Sequence, residues 1–181
     1  MLSRIRSGFS RVAITLFFIL FSGMVTAPAG NTDSWKKIGI SGRFLMTVPK
    51  NWVAMTYDLP GAGQEMTIIK DPVINDPEVQ VIAVLNEEGK ICNELLLHEV
   101  TRSFMEGAGY TPLQGVPQNF NPDLHSLICA CTDKEGQMIM MITREAGPYI
   151  VFIIGKYSTS EVISTGVNEI GVMAGSLVYN A

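Results

Sequence analysis

Thiol and thioether side chains are concentrated in two neighbouring apolar segments of the chain. Cys129 and Cys131 lie in one segment, and Met138 and Met140 lie in the next. Thiolate and thioether sulfur atoms are the ligands that select Cu(I). These four residues are therefore the soft-metal candidates, provided that the two segments pair and the sulfur atoms share a face. Methionine is also a common core filler, and the isoleucines interleaved with it favour a buried hairpin without a metal.

A nucleophilic cysteine would need an imidazole beside it, and the chain has two histidines. His125 opens the segment that contains Cys129 and Cys131, whereas His98 lies on the outer side of a predicted helix. A Cys–His pair also needs a group that orients the imidazole and donors that hold an oxyanion. The sequence indicates neither of these, and the cysteines lie within hydrophobic segments. We therefore predict no catalytic residues, no cofactor and no enzymatic activity.

The first 29 residues have the composition of a secretory signal peptide. Three arginines precede an apolar run at residues 12–21 (VAITLFFILF), and Ala27 and Ala29 supply small residues before a cleavage site. The alternative is a membrane anchor, but the run is much shorter than the roughly 18–20 residues that span a bilayer. We expect cleavage after Ala29, no stable membrane span, and one domain at residues 30–181 in the periplasm or outside the cell.

Loss of the signal peptide makes the mature chain more acidic. The precursor has 13 basic and 17 acidic residues, and three arginines leave with the signal peptide, so the net charge becomes −7. A nucleic-acid partner needs a basic face, which this composition excludes. The remaining 152 residues suit a single domain.

Export to an oxidising compartment makes a disulfide plausible. Cys129 and Cys131 are two residues apart on a predicted strand, so their side chains share a face and are poorly placed to bond to each other. Cys92 could form a disulfide with Cys129 or with Cys131. Three buried free thiols are the alternative, because free cysteine is often fully buried.

Residues 124–179 set the fold. Three short apolar runs separated by glycine- and proline-marked turns are typical of an antiparallel meander, and one long closing helix follows them. The runs are at residues 124–132, 137–143 and 149–154. Upstream, further strands are predicted at residues 35–40, 44–48, 52–57, 65–69 and 79–85. A turn that begins at Pro49 predicts a hairpin between the second and third of these, since proline marks a strand end.

Two helices complete the domain. Asn93 is the expected N-cap of the first helix, whose inner face is predicted to carry Leu96, Val100, Phe104 and Ala108. Ser158 and Glu161 form a capping box that opens the closing helix. Its inner face is predicted to carry Ile163, Val167, Ile170, Ala174 and Leu177. Glycines such as Gly171 and Gly175 lower helix propensity, and they predict a close approach of this helix to the sheet.

Together these elements predict an α+β domain, with a central twisted, mostly antiparallel sheet of about six strands flanked by helices. The stretch Phe44-x-Met46-x-Val48-Pro49-x-x-Trp52 resembles the opening of the PsbP-like fold, an α/β/α sandwich. That fold includes the extrinsic PsbP proteins of photosystem II, nuclear-import factors that bind the Ran GTPase, and DcrB-type bacterial envelope lipoproteins. The signal peptide and acidic chain fit the bacterial envelope branch, whereas the absence of a lipobox departs from it. The resemblance implies no shared active site.

These observations predict a non-enzymatic exported envelope protein that acts as a protein-interaction or assembly-accessory module. Its partner is expected to be another envelope protein, and loops on a rigid sheet are the expected contact surface. The candidate contact residues are Leu59, Pro60, Gly61, Pro117 and Phe120. The alternative is a protein that binds a small ligand in an apolar pocket between sheet and helix, or Cu(I) at the Cys/Met hairpin.

Overall fold

The structure, a computed structural model, describes residues 34–59, 64–74, 77–86, 89, 92–157 and 169–180. The predicted signal peptide and the capping box at Ser158 and Glu161 lie outside these residues. The described strands are β1 (Trp35–Ile40), β2 (Phe44–Pro49), β3 (Val53–Leu59), β4 (Gln64–Lys70), β5 (Glu78–Leu85), β6 (Thr111–Pro112), β7 (Asn119–Asn121), β8 (Ser126–Thr132), β9 (Met138–Ala146), β10 (Tyr149–Tyr157) and β11 (Val178–Tyr179). Helix α1 comprises Glu94–Ala108, and α2 denotes helical residues 169–176.

One large sheet contains eight of the described strands. Their order is β3-β4-β5-β10-β9-β8-β6, and β7 also pairs with β8. The predicted meander is confirmed, because β8, β9 and β10 pair antiparallel in chain order. Gly147, with a φ of 59°, turns the chain from β9 into β10. The sheet is larger than the predicted six strands because two short strands, β6 and β7, add to six long ones.

A second sheet of three strands has the order β1-β2-β11. The predicted hairpin between β2 and β3 is therefore wrong, because β2 pairs with β1 and β3 pairs with β4. Burial explains the difference: the inward side chains of β2 and the side chain of Trp52 all pack beneath the small sheet. The chain crosses between the layers at Pro49, whose carbonyl accepts a hydrogen bond from the Trp52 amide at 3.0 Å.

The large sheet separates two hydrophobic cores. Core A lies between this sheet and a layer that contains the small sheet and α2; its members include Phe44, Met46, Trp52, Val151, Ile153 and Met173. Core B lies between the sheet and α1; its members include Leu97, Cys129, Met141, Phe152 and Ile154. Because successive side chains of a strand point to opposite faces, each central strand contributes to both cores. The result is the predicted layered α+β arrangement, with a small sheet added to one outer layer.

Helix α1 begins and ends where the sequence predicts. The Asn93 side chain accepts a hydrogen bond from the Leu96 amide at 2.9 Å, and Gly109 ends the helix in the left-handed conformation. The predicted inner row is half-buried, except Ala108, which is exposed. A neighbouring row of Leu97, Thr101 and Met105 is fully buried. The sequence pattern does not reveal this buried row because it contains the polar residue Thr101. The Thr101 hydroxyl is buried and donates a hydrogen bond to Thr143 Oγ1 at 2.7 Å.

Helix α2 ends earlier than predicted. Val178 and Tyr179 form β11, which pairs with β2 instead of extending the helix, in keeping with the strand preference of β-branched and aromatic residues. The predicted inner residues Ile170, Ala174 and Leu177 are buried in core A, whereas 163 and 167 lie outside the described residues.

The close approach of α2 to the sheet occurs at a glycine of the strand. A Cβ atom on Gly155 of β10 would lie 1.9 Å from Ile170 Cδ1. A Cβ atom on Gly175 would meet nothing within 4 Å. The explanation of Gly175 as a contact glycine is therefore wrong, and Gly155 has that role.

Candidate functional site

The three cysteines are not bridged in the structure, and all of them are buried in core B. Cys129 Sγ lies 3.8 Å from Met105 Sδ of α1. Cys92 shares this core with both strand cysteines, so a disulfide of Cys92 with Cys129 or Cys131 stays a prediction for measurement to decide.

The four soft-metal candidates do not converge. The register of β8 and β9 sets Cys129 opposite Met141, and both side chains pack in core B. Met138 and Met140 point to the other face of the sheet and pack in or against core A. Within the described ranges, no group of three or more His, Cys, Asp or Glu residues could hold a metal ion.

Burial suppresses the chemistry of the thiols. It raises the pKa of Cys92 from 9.0 to about 11, with a further contribution from the negative charge of Glu145. It raises the pKa of Cys129 and Cys131 to about 12 each. Since the thiolate is the nucleophile and the metal ligand, the raised pKa values disfavour nucleophilic and metal-binding chemistry at neutral pH.

The histidines have partners other than cysteine. His98 Nδ1 lies 2.6 Å from Gln118 Oε1, and His125 Nδ1 lies 3.5 Å from Glu145 Oε2. In the described part of the chain, neither imidazole contacts a thiol, so the Cys–His arrangement weighed from sequence is not formed there.

A cleft with a volume of about 300 Å³ opens between α2 and strands β7 to β9; we call it the α2 cleft. Its floor consists of two cross-strand rows on the core A side of the sheet. One row is Asn119, Ile128 and Ile142, and the other is Asn121, Ser126 and Arg144. Its wall is built from the small residues Gly171, Ala174 and Gly175 of α2, and its rim includes Phe120, Pro122, Asp123 and Leu124.

Arg144 supplies the positive charge of the α2 cleft. Its Nη1 donates to the Ala174 carbonyl, and its Nε donates to the Glu145 carbonyl at 3.2 Å. Burial lowers the pKa of Arg144, yet a guanidinium stays charged in proteins. No described carboxylate forms an ion pair with it. The charge lies at the C-terminal end of α2, where the helix dipole favours a cation.

The second feature is an exposed apolar surface along β3, the outer strand of the large sheet. The side chains of Val53, Met55 and Tyr57 are 39%, 41% and 45% exposed. Met66, which pairs with Tyr57 across the strands, packs against core B. These three side chains therefore lie on the α1 side of the sheet, although α1 itself packs against β8 and β9.

Two further apolar residues, Val73 and Ile74, are exposed in the turn after β4, whose last residue, Lys70, pairs with Val53 of β3. Asp71 fixes their turn: its Oδ1 accepts hydrogen bonds from the Val73 amide at 2.7 Å and from the Ile74 amide at 3.1 Å. Asn51 donates to the other oxygen of Asp71, which ties the turn to the start of β3. We call Val53, Met55 and Tyr57 the edge patch.

The predicted contact loops border these two features. Leu59 is the last residue of β3, and Pro60 and Gly61 lie outside the described residues. Pro117 is exposed, whereas Phe120 is half-buried against core B and lines the rim of the α2 cleft. Sequence reasoning missed Arg144 and the edge patch, because neither a lone arginine nor the position of a strand in a sheet has a local signal.

The layers, their order and the flanking helices form an α+β fold of the PsbP-like type. The solution structure of cyanobacterial PsbP (CyanoP) from Synechocystis sp. PCC 6803 is similar, with a TM-score of 0.61 and 12% sequence identity over 86% of this chain and 98% of that one. The predicted PsbP-like fold is thus confirmed, and at this identity the likeness concerns the fold alone.

A crystal structure from Bacteroides thetaiotaomicron VPI-5482 matches with a TM-score of 0.45 and 11% identity, over 82% of this chain and 49% of that one. No protein-family model matches the sequence, and no curated protein matches it. Among the described residues, no helix has the length and apolar character needed to cross a bilayer.

Proposed function

We propose that this is an exported, non-enzymatic envelope protein that binds another envelope protein through the edge patch. In this interaction an extended segment of the partner adds a strand to β3, so that main-chain hydrogen bonds give affinity and alternate side chains give specificity. The observation that carries the proposal is the unprotected apolar edge of the large sheet.

Sheet edges are ordinarily protected by short strands, charged residues, prolines or bulges. Strand β3 is seven residues long, and its register with β4 is continuous from end to end. Its one charged residue, Asp58, lies next to its C-terminal end. In the described chain β3 has a strand neighbour on one side. Among the described residues, therefore, no device excludes a partner strand from the outer edge of β3.

The side chains of the edge patch indicate which residues an added partner strand would carry. Val53, Met55 and Tyr57 alternate along one face, so an added strand would place its own alternate side chains beside them. Val73 and Ile74, in the turn held by Asp71, add two exposed apolar side chains near the start of β3. A partner segment with apolar residues at alternate positions fits this surface.

Export and location rest on residues 1–29, which have the organisation of a signal peptide. We propose a mature chain that starts at Gly30 in the periplasm or outside the cell. The mass of the exported protein tests this directly, since a retained segment adds the 29 residues to the chain.

The lack of enzymatic activity is supported by the state of the candidate groups. The cysteines are buried and burial raises the pKa of each thiol, and both histidines contact other partners. The PsbP-like fold agrees with an accessory role.

A second candidate function is the binding of a small ligand in the α2 cleft. Its support is a concave site between sheet and helix with one charged side chain, which is the usual composition of small-molecule sites. The Cu(I) version of this alternative loses support, because the four sulfur atoms lie on two faces of the sheet.

The interaction is tested by replacing Met55 with a photo-crosslinking amino acid in cells of the native host. The control places the same amino acid at Leu95, an exposed position of α1 away from the edge patch. We expect one discrete adduct from position 55 and none from position 95. Equal adducts from both positions would contradict the proposal, and an adduct of twice the chain mass would identify the partner as a second copy.

A further inference from the structure

We propose that the α2 cleft binds an organic monocarboxylate with a short apolar body, whose carboxylate pairs with Arg144. This inference rests on the second candidate function and names the class of its ligand. It is independent of the edge patch, which lies on the other side of the sheet.

The charge of the ligand follows from Arg144. A guanidinium is a planar fork of five donors that matches the two oxygens of a carboxylate. The hydrogen bonds to the carbonyls of Glu145 and Ala174 occupy two of these donors. Arg144 lines the cleft, and within the described residues no acidic side chain neutralises its charge. The remaining donors can therefore bind an anionic group that enters the cleft.

The body of the ligand follows from the rest of the lining. Ile128, Ile142 and Ala174 give the floor and wall an apolar contact surface for the group attached to the carboxylate, beside the polar side chains of Asn119, Asn121 and Ser126. Asp123 at the rim disfavours a second negative charge. The volume of about 300 Å³ is at the lower end of small-molecule sites, which begin at about 300 Å³, so the body is short.

The space for the ligand follows from the small residues of α2. Gly175 is helical, a Cβ atom on it would meet nothing within 4 Å, and glycine lowers helix propensity. Neither backbone conformation nor close packing therefore requires glycine at this position. An open cleft is a physical reason for it.

A purely structural role for Arg144 is the competing explanation, because its Nη1 also stabilises the end of α2 through the Ala174 carbonyl. That role predicts a loss of stability on substitution but no saturable binding of a carboxylate. Binding and stability therefore have to be measured separately.

The first experiment titrates the mature protein, residues 30–181, with hexanoate and with hexanamide while amide ¹H–¹⁵N spectra are recorded. We expect saturable shifts for amides of residues 119–128 and 169–176 with hexanoate, and affinity weaker by about tenfold or more for hexanamide, equivalent to the loss of about 1.4 kcal/mol. Equal affinity for the two would overturn the carboxylate assignment but leave ligand binding in the cleft intact. No saturable shift with either would overturn both.

The second experiment changes the cleft without changing its charge. Gly175→Leu should fill the open space and reduce hexanoate affinity by about tenfold or more, while the higher helix propensity of leucine preserves α2. The matched control is Gly107→Leu in α1, where a Cβ atom also meets nothing within 4 Å; its hexanoate affinity should equal that of the parent. Parent-like affinity in Gly175→Leu would overturn the location of the site.

The third experiment separates charge from geometry at Arg144. Arg144→Lys keeps the charge and loses the planar fork, so it should retain more hexanoate affinity than Arg144→Gln. Equal affinity of the parent and Arg144→Gln, with native spectra for both, would show that Arg144 is structural and would overturn the proposal. Preference for a peptide with a free carboxyl terminus over hexanoate would overturn the assignment to a small molecule.

Discussion

Gly155 is the point at which the placement of α2 on the large sheet is most sensitive to a single atom. Replacement of Gly155 by alanine would place a Cβ atom 1.9 Å from Ile170 Cδ1, and positions 155 and 170 are both buried. The next contacts, with Tyr157 Oη at 3.2 Å and Ile170 Cγ1 at 3.3 Å, are also tight. The helix or the Ile170 side chain must therefore move when this methyl group is added.

The expected cost is that of overpacking a core, about 1–3 kcal/mol. Replacement of a strand glycine by alanine returns about 0.5–1 kcal/mol, because glycine loses more conformational freedom on folding. We therefore expect Gly155→Ala to lower the free energy of unfolding by about 1–2 kcal/mol.

A second substitution identifies the clashing atom. Ile170→Val removes Cδ1 and alone should cost about 0.5–1.5 kcal/mol. In the double variant the added methyl group occupies space that Cδ1 has left. The loss of unfolding free energy in the double variant should therefore be about 1 kcal/mol smaller than the sum of the losses in the two single variants. This coupling is within the range observed for residues in contact.

Urea unfolding of the mature chain measures all four proteins, with the fluorescence of buried Trp52 and circular dichroism as two probes. The reasoning is refuted if the two changes add to within about 0.3–0.5 kcal/mol, which is the behaviour of independent sites. A control pair, Gly175→Ala with Ile170→Val, should be additive because a Cβ atom on Gly175 meets nothing.

Three further outcomes are expected. Thr101→Val or Thr143→Val should each lower the free energy of unfolding by about 1–3 kcal/mol, because each change leaves the other buried hydroxyl of a 2.7 Å hydrogen bond without its partner. The double variant should lose less free energy than the two single variants lose together, and equal losses would contradict the coupling. Burial, together with the charge of Asp71, raises the pKa of Glu169 above 4.5, so the folded state retains this proton better than the unfolded state and stability falls as pH rises above 4.5. Glu169→Gln should remove that loss, so its melting temperature relative to the parent should increase between pH 4 and pH 7; a constant difference would contradict the assignment. A thiol reagent at pH 8 should label the cysteines only after unfolding, because all three are buried and burial raises the pKa of each thiol. Two labels missing from the unfolded protein without reductant would establish a disulfide, and peptide mapping would show whether Cys92 is part of it.

The sequence predicts the strands of the meander well because each depends on local features. Alternating apolar residues and the turn at Gly147 determine β9 and β10 within a few residues. The pairing of β2 was predicted wrongly: β2 pairs with β1, the strand just before it, and with the distant strand β11. A turn after Pro49 is compatible with a hairpin and with a crossing between layers, and burial of Trp52 decides between them only once the layers exist.

The functional features are less accessible from sequence for the same reason. The α2 cleft combines residues of β7, β8 and β9 with α2, and these segments are brought together only by the fold. The exposure of Met55 and Tyr57 depends on β3 being the outer strand, whereas the same alternation inside a sheet would be buried. Gly155 shows the converse case: the close approach was anticipated, but it was assigned to the glycines of the helix.

The most direct test of the central claim, that β3 is the recognition surface, is the crosslinking yield from position 55 in the presence of Tyr57→Lys. This change introduces a charge into the edge patch at an exposed side chain, so the melting temperature should stay at the parent value. We expect the yield of the partner adduct to fall by about tenfold, and the matched change Leu95→Lys on α1 to leave it unaltered. An undiminished yield of the partner adduct in Tyr57→Lys, equal to the yield in Leu95→Lys, would contradict recognition through the edge of the sheet.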